Sequence, residues 1–136
     1  MPLTQLEHYL VLTTDLAGTR DFYALALGMR VGPRPPLEFP GYWLYVGDVP
    51  CIHIAEWDSY RAYSDALGIS VSTRAPGTGA VDHIAFNGSD CEGLKAALEA
   101  RGVPFAVNDI PEIKLTQLFL YDPNGVKVEI NVREPL

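Results

Sequence analysis

Leu6-Glu7-His8 with Asp15-Leu16, and Val81-Asp82-His83 with Asp90, are the stretches that decide the fold, because the second repeats the first at a constant offset, 83 − 8 = 90 − 15 = 75. The echo extends to the far end of each half, where Ile52-His53-Ile54 lies opposite Val128-Glu129-Ile130 at 129 − 53 = 76. A period this long in only two copies is not a solenoid, which needs at least about three repeats to be stable. It describes one pseudo-symmetric domain, residues 1–136, made of two equivalent modules. Duplicated histidines in a duplicated module suggest a shared metal site.

Outward from these phrases, each half follows one plan. Leu6 to Leu12 is apolar enough for a strand, and Thr14-Asp15 offers an N-cap before Leu16, Phe22, Tyr23, Ala26 and Leu27 at helical spacing. Gly28 ends that helix. In the second half a strand over Val81 to Phe86 precedes Ser89-Asp90-Cys91-Glu92, read as a capping box, then Leu94, Ala97 and Leu98 on one helical face, with Gly102 as terminator. Short apolar runs follow each helix: Tyr42 to Val46 and Cys51 to Ala55 around Gly47-Asp48, and Gln117 to Tyr121 and Val126 to Val132 around Asp122-Pro123-Asn124-Gly125. Met29 to Pro33 and Val103 to Val107 supply one more strand each. The predicted class is α+β, with two tandem βαβββ modules.

Module one spans about residues 3–57 and module two about 80–133. The linker of about residues 58–79 falls within Trp57 to Gly79, where Tyr60, Arg61, Tyr63 and Leu67 have loosely helical spacing before Ala75-Pro76-Gly77-Thr78-Gly79. A connection of that length inside a compact domain is usually functional or disordered. A short helix and then a mobile stretch are expected there, and an irregular loop over the proline-rich Pro33 to Pro40.

Strand side chains alternate between faces, so parity shows what accompanies each histidine. Val126, Val128, Ile130 and Val132 oppose Lys127, Glu129, Asn131 and Arg133; Ile52 and Ile54 oppose Cys51, His53 and Ala55; Ile84 and Phe86 oppose His83, Ala85 and Asn87. The β-branched and aromatic face packs on helices. A solvated opposite face accounts for Lys127, Asn131 and Arg133 but not for Leu10, Leu12, Cys51, Ala55 and Ala85, which describe the lining of a cavity. One histidine on a strand is ordinarily a packed or surface residue. Here all 3 histidines of the chain fall at equivalent positions with Glu129 among them, and a carboxylate buried there requires a cation.

Composition narrows the partners. Hydrophobic residues make up 48% and charged residues 20%, with a formal net charge of −7 and a pI of about 4.8. This fits a soluble globular protein, disfavours nucleic acid or an anionic membrane as partner, and suits a small neutral or metal-held ligand. The N-terminus has no basic leader and no run reaches the ~20 apolar residues that span a bilayer, so a cytoplasmic location is expected. Cys51 and Cys91 are read as reduced, and Cys51, two residues from His53, could face the same cavity.

With these residues in place the chain resembles the vicinal oxygen chelate superfamily, the group of glyoxalase I, fosfomycin and bleomycin resistance proteins and extradiol dioxygenases. The likeness runs through Leu6-Glu7-His8, Phe22-Tyr23 to Leu27-Gly28-Met29, Val81-Asp82-His83-Ile84-Ala85-Phe86, and most specifically Leu118-Phe119-Leu120-Tyr121-Asp122-Pro123-Asn124-Gly125-Val126-Lys127-Val128-Glu129-Ile130. It implies a curved mixed sheet around a metal-binding cleft, helices on the outer face, and often a homodimer. It also implies His8, His83 and Glu129 as metal ligands, a two-histidine, one-carboxylate set that suits Fe(II) and also accommodates Mn(II), Ni(II) or Zn(II).

The resemblance further implies a choice of chemistry. The His53 position corresponds to a metal-bound glutamate in glyoxalase I, so histidine there argues against that reaction; extradiol dioxygenases carry an acid-base histidine in this region, and imidazole titrates near neutrality. His53 is therefore either a fourth ligand or the catalytic acid-base group. Phe119 departs from the dioxygenase pattern, in which that position is a tyrosine. The leading expectation is an extradiol-type ring-cleaving dioxygenase with Trp43, Tyr45, Phe119 and Tyr121 as substrate walls. The alternatives are a glyoxalase I-type lyase or isomerase, with Arg30, Arg34, Arg61 or Lys127 as basic contacts, and a non-catalytic drug-binding resistance protein.

Overall fold

The computed structural model describes residues 2–71, 75 and 77–133. Two compact units form, one on the first four strands and one on the last four. In unit 1, β1 (Tyr9–Thr13) leads into α1 (Leu16–Asp21), which continues as one π-helical turn (Phe22–Ala26) before β2 (Arg30–Gly32), β3 (Gly41–Val46), β4 (Val49–Glu56) and α2 (Trp57–Ala66). In unit 2, β5 (Ile84–Gly88), α3 (Cys91–Ala100), β6 (Phe105–Ile110), a 3₁₀ turn (Pro111–Ile113), β7 (Leu115–Tyr121) and β8 (Lys127–Arg133) repeat the plan, with no counterpart of α2 among the described residues.

The strand orders are identical, β1-β4-β3-β2 and β5-β8-β7-β6, with the outer pair parallel and the others antiparallel. The two tandem βαβββ modules expected from the repeat are thus present. Each sheet is held by its apolar face: Ile52, Ile54 and Leu44 in unit 1, and Val128, Ile130, Leu118 and Leu120 in unit 2, are buried. Burying each such side chain contributes about 1.5–3 kcal/mol, and a one-residue slip would exchange the two faces. Register is thereby fixed, and with it the position of every polar residue on the opposite face.

Several boundaries differ from expectation. Leu6 is 81% exposed and Val81 48% exposed, so β1 and β5 start at Tyr9 and Ile84, and His8 and His83 stand just before their strands. The helix in unit 2 is capped by Asp90, whose carboxylate accepts from Gly93 N at 3.1 Å with φ 56, and not by Ser89, because the left-handed backbone at Asp90 begins the helix one residue later. Asp15 caps α1 through Gly18 N at 2.9 Å, and Gly28 and Gly102 follow their helices with φ +75 and +67, as the sequence suggested. Of the residues expected to line a cavity, Ala55 is buried, Leu10, Leu12 and Cys51 are half-buried and Ala85 is exposed, a more open face than composition suggested. The expected short linker helix is α2, capped by Glu56, which accepts from Ser59 N. Part of the mobile stretch expected after it, residues 72–74 and 76, lies outside the described residues. Among those described, no helix is long and apolar enough to cross a membrane.

Candidate functional site

Each unit carries one half of the candidate residues. In unit 1, β4 places His53 opposite Leu10 of β1 and Trp43 of β3. Trp43 stacks on the imidazole, centroids 4.0 Å apart and planes within 9°, and His8 stacks on it at 3.8 Å and 13°. Two rings cannot occupy one face of an imidazole at those distances, so His53 is sandwiched. Burial, and then the neighbouring His8, lower its pKa. Burial also raises that of the Cys51 thiol. Nearly parallel rings cannot both aim an in-plane lone pair at one ion about 2.1 Å from each nitrogen, so this arrangement lets His8 or His53 bind a metal, not both.

In unit 2, His83 Nε2 stands 3.6 Å from Glu129 Oε1. That is too long for a hydrogen bond and matches two donors each about 2.1 Å from a common cation at an angle of roughly 120°. Glu129, its side chain 14% exposed, accepts on its other oxygen from Asn131 Nδ2 at 2.8 Å. Asn131 Oδ1 accepts from Gln117 Nε2 at 3.0 Å, and Gln117 Oε1 from Asn108 Nδ2 at 2.9 Å, so a row of amides across β6, β7 and β8 ends on the carboxylate. This row escaped sequence reasoning; its signal is the pair Glu129 and Asn131 at strand spacing.

One contact occurs in both units. His8 Nδ1 lies 2.8 Å from Glu7 Oε1 and His83 Nδ1 2.9 Å from Asp82 Oδ2, the preceding residue each time. A carboxylate on Nδ1 fixes the tautomer that leaves Nε2 as a free donor, the usual outer partner of a metal-bound histidine. Asp82 also accepts from Lys127 Nζ at 3.0 Å; its bonds to His83 and Lys127 lower its pKa, and its own bond raises that of Lys127. Among the described residues no three His, Cys, Asp or Glu side chains form a ready metal cage.

The expected substrate walls fare differently. Trp43 belongs to the stack. Tyr45 is engaged elsewhere, donating its hydroxyl to Pro33 O at 2.5 Å beneath the Arg30 guanidinium, 4.6 Å from the ring. Phe119 lies opposite Glu129 in the sheet with Lys127 Nζ 5.7 Å from its ring, and Tyr121 is 60% exposed at the end of β7.

Paired βαβββ units, each opening on a carboxylate-held histidine, define a protein of the glyoxalase class. The sequence pattern of the Glyoxalase/Bleomycin resistance protein/Dioxygenase superfamily matches residues 5–130, and the chain belongs to that superfamily. An Arabidopsis thaliana protein named Glyoxylase I 4 is 28% identical over 131 residues, 94% of this chain and 70% of its own length. Lactoylglutathione lyase from Agrobacterium tumefaciens has the same fold, with a TM-score of 0.66 and 17% identity over 96% of this chain and 95% of that one. So does the fosfomycin resistance protein FosX of Listeria monocytogenes, solved as a glutamate-to-glutamine variant with Mn(II) and 1S,2S-dihydroxypropylphosphonic acid, at TM-score 0.68 and 16% identity over 97% and 94%.

Proposed function

We propose that this protein is a metal-dependent enzyme acting on a small substrate through two adjacent oxygens, with His8, His83 and Glu129 holding a divalent ion and His53 serving as acid-base residue. The observation that carries this reading is the repeated carboxylate contact on Nδ1 of His8 and His83, which leaves both Nε2 atoms free as donors. The 3.6 Å His83–Glu129 separation supports it, as does the Mn(II) held by the fold neighbour FosX. When bound, the metal would act as Lewis acid and template for the substrate oxygens, and Fe(II) is the ion favoured by the two-histidine, one-carboxylate set.

The chain's own groups divide the work. Glu7 and Asp82 hold the two imidazoles in one tautomer, and Asn131 turns one oxygen of Glu129 toward His83. His53, with its pKa lowered by burial, carries a free ring lone pair near neutral pH and can take a proton from a substrate hydroxyl. The stack with Trp43 and His8 restricts that transfer to the exposed edge of the ring. A neutral base of this kind fits the proton of a catechol, which makes extradiol-type ring cleavage the leading reaction. Oxygen uptake by the Fe(II)-loaded protein with a broad set of catechols tests it, with uptake and a ring-cleaved product expected; no uptake with any of them would sink the subtype.

The 28% identity to Glyoxylase I 4 favours a second reading, a glyoxalase I-type reaction with Ni(II) or Zn(II). It requires S-lactoylglutathione from methylglyoxal and glutathione, and absence of that product with every divalent metal excludes it.

A further inference from the structure

His83 is aimed from outside the sheet. β5 begins at Ile84, paired with Val128, so the residue that faces Glu129 stands one position before the ladder and is not fixed by strand pairing. A ligand on a free segment has to be ordered when the ion binds, which lowers affinity, whereas one whose backbone is already set avoids that loss. His8, also outside its strand, is steadied by the His53 ring. His83 is held instead through the segment from Gly77 to Asp82.

Three contacts fix that segment, all within unit 2. At its start Gly77 N donates to Asn124 O at 3.0 Å. Asn124 belongs to the turn between β7 and β8, which is itself closed: the buried Asp122 carboxylate accepts from Asn124 N at 2.7 Å and from Val126 N at 2.8 Å, and Gly125 N donates to Asp122 O at 3.1 Å. In the middle, Thr78 to Val81 form a tight turn in which Val81 N donates to Thr78 O at 3.3 Å, and Gly79 supplies the left-handed backbone at φ +63. At its end Asp82 accepts from Lys127 Nζ of β8 at 3.0 Å and meets His83 Nδ1 at 2.9 Å.

The middle contact is the one that a side chain completes. The half-buried Thr78 donates its hydroxyl to Val81 O, and Asp82 O lies 3.5 Å from the same Oγ1. Without that hydroxyl the turn keeps only its backbone bond, which at 3.3 Å is longer than the usual range. The carbonyls of Val81 and Asp82 belong to the peptide groups that lead into Asp82 and His83. The hydroxyl therefore bears on the direction in which those two residues leave the turn. Valine has the shape of threonine without the donor, and serine keeps the donor.

We propose that Thr78 is a positioning residue for the metal site, its hydroxyl holding the turn that presents Asp82 and His83. This rests on the reading of His83 as a metal ligand. It is tested by calorimetric titration of Zn(II) into the full-length parent, Thr78→Val, Thr78→Ser and His83→Ala, with melting transitions of the metal-free proteins confirming that each is folded. His83→Ala should weaken binding by more than about 100-fold, and Thr78→Val by about tenfold, as loss of an outer partner of a ligand does. Thr78→Ser should stay within about threefold of the parent. Hydrogen exchange of the Val81 amide supplies a second readout: faster in metal-free Thr78→Val than in the parent, and slowed again by saturating Zn(II). A merely structural role would lower the melting midpoint and leave Zn(II) affinity unchanged. If Thr78→Val does not fold, Thr78→Ala is held to the same limits. Parent-like affinity in Thr78→Val, or equal losses in the valine and serine variants, overturns the role of Thr78 while a large loss in His83→Ala leaves the metal reading standing. Parent-like affinity in His83→Ala overturns the metal reading and the proposal with it.

Discussion

The two units share a backbone and differ in what they place on it. The row Trp43–His53 in unit 1 corresponds to Phe119–Glu129 in unit 2, and the next row is Gly41–Ala55 in one and Gln117–Asn131 in the other. His8 meets its partner face to face as two aromatic rings, whereas His83 meets Glu129 edge to edge, nitrogen toward oxygen. The apolar faces stayed alike because each must pack a sheet, while the open faces were free to diverge. Unit 2 thus supplies fixed negative charge with an amide row behind it, and unit 1 a stack of aromatic rings.

If that division is right, the largest effects belong to the charge of unit 2. Glu129→Ala should weaken binding of Mn(II) or Zn(II) by more than about 100-fold, since loss of a mere outer-shell partner typically costs 10–100-fold. His53→Ala, at the equivalent position, should change it by no more than about threefold. Calorimetric titration of the two variants reads the contrast directly, and comparable losses would make His53 a ligand and erase the distinction between the units.

The shared feature should give the next largest effect. Glu7→Gln and Asp82→Asn each remove the carboxylate on one Nδ1 and should cost about tenfold or more in metal affinity. The two are not equal in setting: Asp82 is also bound to Lys127, where unit 1 has Cys51. Lys127→Met should therefore weaken metal binding more than Cys51→Ala does. Equal, negligible effects of all four substitutions would reduce the repeated contact to surface electrostatics, where exposed pairs contribute little.

The amide row should act more weakly, through the orientation of Glu129. Asn131→Ala is expected to lower metal affinity by about tenfold and Gln117→Leu by less, in the order of their distance along the row from the carboxylate. Asn131→Asp would add a second negative charge and is expected to restore affinity while making it more dependent on salt. If Asn131→Ala and Gln117→Leu bind metal like the parent, the row serves only the sheet.

What could be read from the sequence, and what could not, follows the same line. The repeat, the βαβββ succession of elements in each module and the buried face were legible because a period of two and an offset of 75 are properties of spacing alone, whereas the order of strands within each sheet was not read. The starts of β1 and β5 were not, since Leu6 and Val81 are apolar yet exposed, and hydrophobicity cannot show whether a partner strand is within reach. His8, His53, His83 and Glu129 stood out by type. Glu7 and Asp82 were in view without a role, because an Nδ1 contact depends on a rotamer. Arg34 was one of four candidate cations, and its bond to Phe39 O, like the Tyr45–Pro33 bond beside it, depends on a loop path that spacing does not reveal.

The smallest expected effect concerns His53 alone, in metal-free protein. Its pKa is lowered in the folded chain, against about 6.5 when unfolded. Above the unfolded value both states carry the neutral ring and its contribution to stability is fully present. As pH falls below about 6.5 the unfolded chain takes up a proton that the folded chain resists, so stability declines until pH has passed the folded pKa. His53→Phe keeps an aromatic ring between Trp43 and His8 but cannot titrate there. Thermal midpoints of the parent should therefore fall more than those of the variant between about pH 7.5 and about pH 5.5, by a small margin because the ring is only half-buried and solvent screens it. A steeper fall in the variant would mean that His53 gains a proton on folding, which is incompatible with a neutral base held between two rings.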